Sequence, residues 1–353
     1  MKKRYYPFII LIAAAVCLPL ASCKKSRLEV MAVTGATPLA FDEDVPSART
    51  LDVTGMVKKE YTFSSRALNA FARTRIRTRE VSPEGKFLGT YIYLGIPLFN
   101  IMEGVAPEKP KDAVFDSPLD MVVTLTSASG KKVRFSYGEL TMTDDRHPVT
   151  LAYSRKQLLP FKDPEKYNKN VYREDLTGLR LICPREPDTA RYLDNVVSID
   201  LSVPETPVSM LPATKKGIKC SATSLTCVSG TKAAPALYAG VEQQSVSNWV
   251  RVGHGRGYKN IVKAEGYGLR SFLKKNFPGC GPEDWYMFVA CDGYRCLFSG
   301  REIFMTGDGE SFMILKSFNG KKPSGSNMLA PVSDYFVDRN IWGLSHVVYL
   351  EHK

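Results

Sequence analysis

Histidine is scarce in this chain, with four among 353 residues (His147, His254, His346 and His352), and none of them belongs to an H-E-x-x-H motif. G-x-S-x-G and G-x-x-x-x-G-K-[ST] are missing too, so zincin, nucleophile-elbow and P-loop chemistry have no foothold. After residue 20 no apolar run approaches the roughly 18 residues that a bilayer span requires. Glycine (26) and proline (22) are not in excess, and 44% hydrophobic with 24% charged residues excludes collagen-like, disordered and small disulfide-stapled chains. Carboxylates are the scarcer charge, 36 against 48 Lys and Arg, and the net +12 favours anionic ligands, anionic lipid or acidic partners.

What is present begins with an address. Lys2, Lys3 and Arg4 precede an apolar run from Tyr5 to Leu20, which closes on Leu20-Ala21-Ser22-Cys23. A basic start, a short apolar core and small residues before a cut are the parts of a secretory signal. The Leu-Ala-Ser-Cys box resembles the lipobox of bacterial lipoproteins, which implies a signal peptide over 1–22 and lipidation of Cys23 as the first mature residue. The alternative is an ordinary signal peptide that happens to contain a cysteine. Lys24 stands where an aspartate signals inner-membrane retention in the best-known sorting scheme, so we expect an outer membrane lipoprotein, facing the periplasm rather than the cell surface. Residues 23–48, with weak periodicity, read as a tether. Losing Lys2, Lys3 and Arg4 takes the net charge from +12 to +9.

Six cysteines then remain: Cys183, Cys220, Cys227, Cys280, Cys291 and Cys296. An oxidising compartment allows up to three disulfides among them, and short spacing favours the local pairs 220–227 and 291–296. Neither spacing is C-x-x-C and no histidine stands beside either pair, so metal binding is the weaker reading.

The chain also repeats itself. At an offset of 163, Ser129–Leu140 falls on Asp292–Ile303, with glycine, a basic residue, Phe-Ser, Glu and an aliphatic residue recurring in step. Met121–Val123 meets Asp284–Tyr286, and Val149–Ala152 meets Phe312–Leu315, in the same register. With small gaps, Gly95–Met102 corresponds to Gly266–Leu273, Leu181–Pro184 to Met328–Pro331, and Val196–Asp200 to Val347–Glu351. Both copies read as a strand, a tight glycine turn, a second strand, then serine before a short helix, which makes a tandem duplication of α+β class with mixed, β-rich sheets. Repeat 1 is placed at 49–203, a Pro/Ser/Thr/Lys linker at 204–227, and repeat 2 at 228–353.

Thr54–Val57, Tyr93–Leu98, Gly178–Pro184 and Tyr192–Ile199 in repeat 1, with Asp292–Tyr294 and Ile341–Val348 in repeat 2, resemble the molybdopterin-binding domain of the sulfite oxidase superfamily. The resemblance implies two such domains in tandem. It also implies a cysteine thiolate on molybdenum, carried between the opening strand and the Gly-x-x-Leu helix. The corresponding stretches here, 70–93 and 240–265, hold no cysteine, and Arg77, Thr78 or Asn248 cannot replace a soft ligand. Molybdopterin is therefore a cofactor suggested by resemblance alone, and no metal site is assigned.

The richest local signal is Arg251-Val252-Gly253-His254-Gly255-Arg256-Gly257-Tyr258-Lys259. Alternating glycines permit close backbone approach, and His254, Arg256, Tyr258 and Lys259 offer donors and an aromatic face to a phosphate or carboxylate. A glycine-rich loop with solvated charges is the alternative. Tyr294 and Arg295, on the turn after Asp292-Gly293, are expected at the same mouth, completing the candidate cofactor-binding set. Arg73, Arg75, Arg77 and Arg79 alternate on one strand face, either as an anion-facing row or as a solvated edge strand. Nucleic acid is not expected, since no stacking aromatics accompany the basic residues.

The reading favoured by the sequence is a membrane-anchored envelope lipoprotein that binds a small anionic ligand or an envelope protein through degenerate molybdopterin-binding-like domains, without molybdenum. An oxidoreductase with altered metal coordination and a purely structural module are the alternatives.

Overall fold

Equivalent glycine turns organise both halves. Gly130 and Gly293 adopt φ of 83° and 86°, and each closes its turn by donating N–H to a carbonyl three residues earlier, Ser127 O at 2.9 Å and Ala290 O at 3.0 Å. The computed structural model describes residues 44–46, 49–143, 146–158, 173–205, 212, 220–222, 224–253, 255–323 and 327–351. Cys23, the signal peptide and nearly all of the tether lie outside them, as does most of the linker. No helix among the described residues is long and apolar enough to cross a membrane.

The first half contributes β1 (Thr50–Gly55), β2 (Tyr61–Ser64), β3 (Thr74–Val81), β4 (Phe87–Pro97), β5 (Val122–Ser127), β6 (Lys132–Ser136), β7 (Thr150–Gln157), β8 (Arg173–Ile182) and β9 (Leu193–Ser202). The second contributes β10 (Thr226–Ser229), β11 (Lys232–Pro235), β12 (Gln243–Gly253), β13 (Gly257–Gly268), β14 (Trp285–Ala290), β15 (Arg295–Ser299), β16 (Phe312–Phe318), β17 (Met328–Pro331), β18 (Ile341–Trp342) and β19 (Leu344–Leu350). Helices are short: Leu98–Val105 and Leu269–Asn276 follow β4 and β13, and Tyr137–Thr141 and Gly300–Met305 follow β6 and β15. The protein is β-rich with mixed sheets and few helices.

The pairing is the same in both halves. β1 runs antiparallel to β2 and parallel to β9, which pairs antiparallel with β5, itself antiparallel to β6. β10 repeats this with β11, β19, β14 and β15. A second run, β3-β4-β7-β8, is matched by β12-β13-β16-β17. In the first half β8 also pairs with β9 and joins the runs into one nine-stranded sheet, whereas β17 pairs with β18 and leaves two five-stranded sheets.

Register corrects the expected alignment of the last strands. Val123 pairs with Leu201 and its counterpart at the offset of 163, Tyr286, with Tyr349, so β9 and β19 correspond at an offset of 148 rather than the 151 that superposes Val196-Val197 on Val347-Val348. Leu151 pairs with Leu181 and Ile314 with Leu329, which gives 148 again where 147 was expected. A matching Val-Val pair and an apolar stretch buried on both faces do not fix register, and a slip of one or three residues reverses every side chain.

The core does not divide at the linker. Leu51, Ile101, Phe135, Leu151 and Ile199 belong to the same buried cluster as Phe272, Phe288, Phe298, Ile314 and Val347. At its centre lies an ionic network with approximate two-fold symmetry. Ser136 and Ser299 cap the helices after β6 and β15, each accepting the N–H of a residue three on, Glu139 and Glu302, at 3.0 Å. Each serine hydroxyl also reaches the glutamate of the other repeat, Ser299 to Glu139 at 2.9 Å and Ser136 to Glu302 at 3.4 Å. Arg191 binds Glu139 and Glu186; Arg339 binds Glu302 at 2.5 Å and Asp334 at 2.6 Å. The offset of 148 carries Glu186 onto Asp334 and Arg191 onto Arg339. The arginines stack alike, 4.1 Å from Phe135 and 4.5 Å from Phe298, and a Cβ on Gly138 would lie 2.4 Å from Arg339 Cδ.

Candidate functional site

β13 pairs with β16 only from Ala264 onward, while its pairing with β12 runs on to the tip, so the outer part of the β12–β13 hairpin continues as a two-stranded ribbon. Gly255 and Gly257 adopt φ of 72° and 71° there, which explains the alternating glycines as turn residues. Arg256 N–H donates to Gly253 O at 3.0 Å, and the Arg256, Tyr258 and Lys259 side chains are exposed around the tip. His254 lies outside the described residues.

One turn inward, Arg251 is 8% exposed. Its guanidinium lies 5.2 Å from the Trp249 ring, 5.1 Å from Phe318 and 5.6 Å from Trp342, with one 3.4 Å hydrogen bond to Asn260 Oδ1. Arg251 Nε and Trp249 Nε1 have no hydrogen-bond partner among the described residues. Burial lowers the pKa of Arg251. Arg191, Arg301 and Arg339, also deeply buried, face carboxylates. Buried Arg295 lies against the Phe115 ring with Asp120 in the same cavity, and Arg251 faces aromatic rings. The sequence reading included Arg251 in the motif but chose the tip residues. The signal it passed over is the Trp249-x-Arg251 alternation, which puts both side chains on one strand face.

Tyr294 and Arg295 face the first repeat instead. Arg295 is buried 5.6 Å from the Phe115 ring, and Lys109 covers the same ring at 4.9 Å. Lys109 pairs with Asp120 and donates to Phe115 O at 2.9 Å; burial lowers the pKa of Lys109 and raises that of Asp120. Tyr294 stands edge-on to Phe115 and donates its hydroxyl to Asp338 O at 2.5 Å. Lys109, Phe115, Asp120 and Arg295, but not Tyr294, line a cavity of about 580 Å³ that also holds Asp112 and Glu205. Three carboxylates offset its two cations. A larger groove of about 1080 Å³ is equally balanced, with Lys132, Arg134 and Lys232 against Asp200, Glu205 and Glu351.

Arg75, Arg77 and Arg79 are exposed on β3, which is an edge strand, while Ile76, Thr78 and Glu80 are buried behind them. This arrangement matches the solvated-edge alternative. Glu80 accepts from Tyr93 at 2.6 Å and Thr78 at 3.2 Å, and Arg180 lies 3.6 Å away.

The cysteines correct the local-pair expectation. Cys220 bonds to Cys291, 71 residues away, and Cys183, Cys227, Cys280 and Cys296 are free thiols. Strand pairing brings the end of β14 to the turn before β19, where Gly343 has φ of 65° and a Cβ would lie 3.0 Å from Cys291 Sγ. Burial raises the pKa of each of these four thiols, that of Cys227 to about 12. Among the described residues no three His, Cys, Asp or Glu side chains gather as for a metal.

No family model and no curated protein matches the chain. Among solved structures it is similar to the sulfane dehydrogenase SoxCD from Paracoccus pantotrophus, at 14% identity over 86% of this chain and 78% of that chain, with a TM-score of 0.32.

Proposed function

We propose that the chain is an envelope lipoprotein, anchored through Cys23, that binds an anion at the β12–β13 ribbon on two sulfite oxidase-type molybdopterin-binding-like repeats without molybdenum. Arg251 is the observation that carries this reading. A desolvated cation costs free energy unless a counter-charge or strong hydrogen bonds offset it, and stacking on rings offsets only part of that cost. An external phosphate or carboxylate beside Arg251, with Arg256 and Lys259 at the rim, supplies the missing charge. Against the oxidoreductase alternative, 70–93 and 240–265, where the resemblance puts the metal thiolate, hold no cysteine.

The test is a thermal-shift titration with inorganic phosphate, pterins, nucleotides and tetrapyrroles on wild type, Arg251→Gln, Arg256→Ala and the remote control Arg79→Ala. Removing a charge-assisted donor costs about 1.5–3 kcal/mol, a roughly ten- to hundredfold loss of affinity. A compound that stabilises wild type and Arg79→Ala, but neither ribbon variant, supports the site. Equal responses in all four proteins refute it.

A further inference from the structure

We infer that the outer face of the same ribbon docks on an anionic phospholipid bilayer, an inference that rests on the reading of Arg256 and Lys259 as an anion-facing rim and on anchoring through Cys23, with no part for Arg251. From Gln243 to Ala264 the chain carries four Lys or Arg residues and no Asp or Glu. Val250 pairs directly with Ile261, and both are exposed, at 49% and 53%. The register shifts after Arg251, so that Val252 pairs with Tyr258 and Lys259 is the extra residue. Opposed residues of an antiparallel pair share a face, so this bulge turns Tyr258, 65% exposed, onto the face of Val250, Val252 and Ile261. Trp249 and Arg251 occupy the opposite face.

The result is a continuous aliphatic and tyrosyl strip on a protruding ribbon, with Arg256 and Lys259 at its tip and no carboxylate to repel lipid phosphate. Tyrosine favours the headgroup level, and each cation near an anionic leaflet strengthens association roughly fivefold. An acyl anchor keeps a bilayer at high effective concentration, so a weak contact of this size suffices.

The experiment uses full-length protein reconstituted into vesicles of phosphatidylcholine alone or mixed with phosphatidylglycerol, with amide hydrogen exchange followed across 255–263. Exchange there is expected to slow roughly tenfold only in the phosphatidylglycerol vesicles. Two double variants, Arg256→Ala with Lys259→Ala and Tyr258→Ser with Ile261→Ser, should each restore the rate seen in detergent, while Arg77→Ala with Arg79→Ala should not. No slowing on anionic vesicles, or slowing that survives both ribbon variants, overturns the inference. Equal slowing by inorganic phosphate in detergent would assign the site to a free anion, and slowing only on addition of envelope extract would assign it to a protein; either overturns it. Flotation after alkaline washing reads the anchor separately: a chain that fails to float refutes anchoring, and a floating chain with an unprotected ribbon refutes only the docking.

Discussion

Glu139 and Glu302 are equivalent by position and unequal by surroundings. On the first side Glu139 meets Arg191 and accepts from Ser299, Arg185 donates to its main-chain carbonyl, and Glu186 is held by both Arg191 and Arg301. On the second, Glu302 and Asp334 share Arg339 alone, and the contact of Arg339 with Glu302 lacks hydrogen-bond geometry. Burial pushes up the pKa of both glutamates. Arg191, Arg185 and Ser299 overcome that effect for Glu139 and leave it below the usual carboxylate range. Arg339 does not overcome it for Glu302, which is raised to about 8, nor for Asp334, raised to about 6. Glu302, which shares its one arginine with Asp334, is therefore the glutamate pushed toward its protonated form.

The sign of the pH dependence follows. Between the ordinary carboxylate range and pH 8 the folded state holds a proton on Glu302 that the unfolded chain has released, so rising pH favours unfolding. The slope is at most about 1.4 kcal/mol per pH unit, or about 4 kcal/mol from pH 5 to 8. Glu302→Gln mimics the protonated acid and should lose this slope, overtaking wild type as pH rises. Glu139→Gln, by contrast, leaves Arg191 short of a counter-charge and should cost about 3–5 kcal/mol at pH 7, shrinking as the wild-type carboxylate is protonated in acid. His346, whose pKa burial lowers, contributes a slope of opposite sign, but it is common to wild type and variant and drops out of their difference. The assay is urea unfolding at a series of pH values. Equal losses in the two variants at pH 7, or a wild-type-minus-Glu302→Gln difference that does not change with pH, would refute the charge count.

Replacing Cys220 and Cys291 together with alanine should lower stability by about 2–5 kcal/mol, and non-reducing peptide mapping should recover that pair alone; a 220–227 or 291–296 fragment would contradict the strand arrangement. Cys23→Ser should abolish fatty-acid labelling and leave an uncleaved or mis-cleaved precursor, and labelling equal to wild type would remove the lipoprotein assignment.

The repeated strand order was legible in the sequence because its central block has no gaps. The strand, glycine turn, strand and Ser-x-x-Glu cap of 122–139 recur at 285–302, and each feature is a local rule that needs no partner from elsewhere. The partners were not legible. Nothing local indicates that Ser299 bonds Glu139, that Phe318 and Trp342 close over Arg251, or that Arg295 turns toward Phe115, since each depends on how the sheets stack. The disulfide failed for the same reason: cysteine spacing was taken as proximity, but the β14–β19 pairing makes residue 291 a neighbour of 343 and 220.

Comparison of the repeats separates structure from candidate function. Behind β3 the buried charge is Glu80, and the fold answers it internally with Tyr93, Thr78 and Arg180. On the equivalent face of β12 the buried charge is Arg251, opposite in sign, and among the described residues no carboxylate pairs with it. The central network likewise holds its arginines against glutamate or aspartate in both copies, which marks it as the cement of the fold. Arg295, the other cation buried against a ring, has Asp120 in the same cavity, so Arg251, stacked on rings beneath the basic ribbon tip, is the buried cation for which we propose an anion from outside. Arg251→Gln should for that reason change ligand response far more than Arg79→Ala, whose exposed guanidinium exchanges water for water.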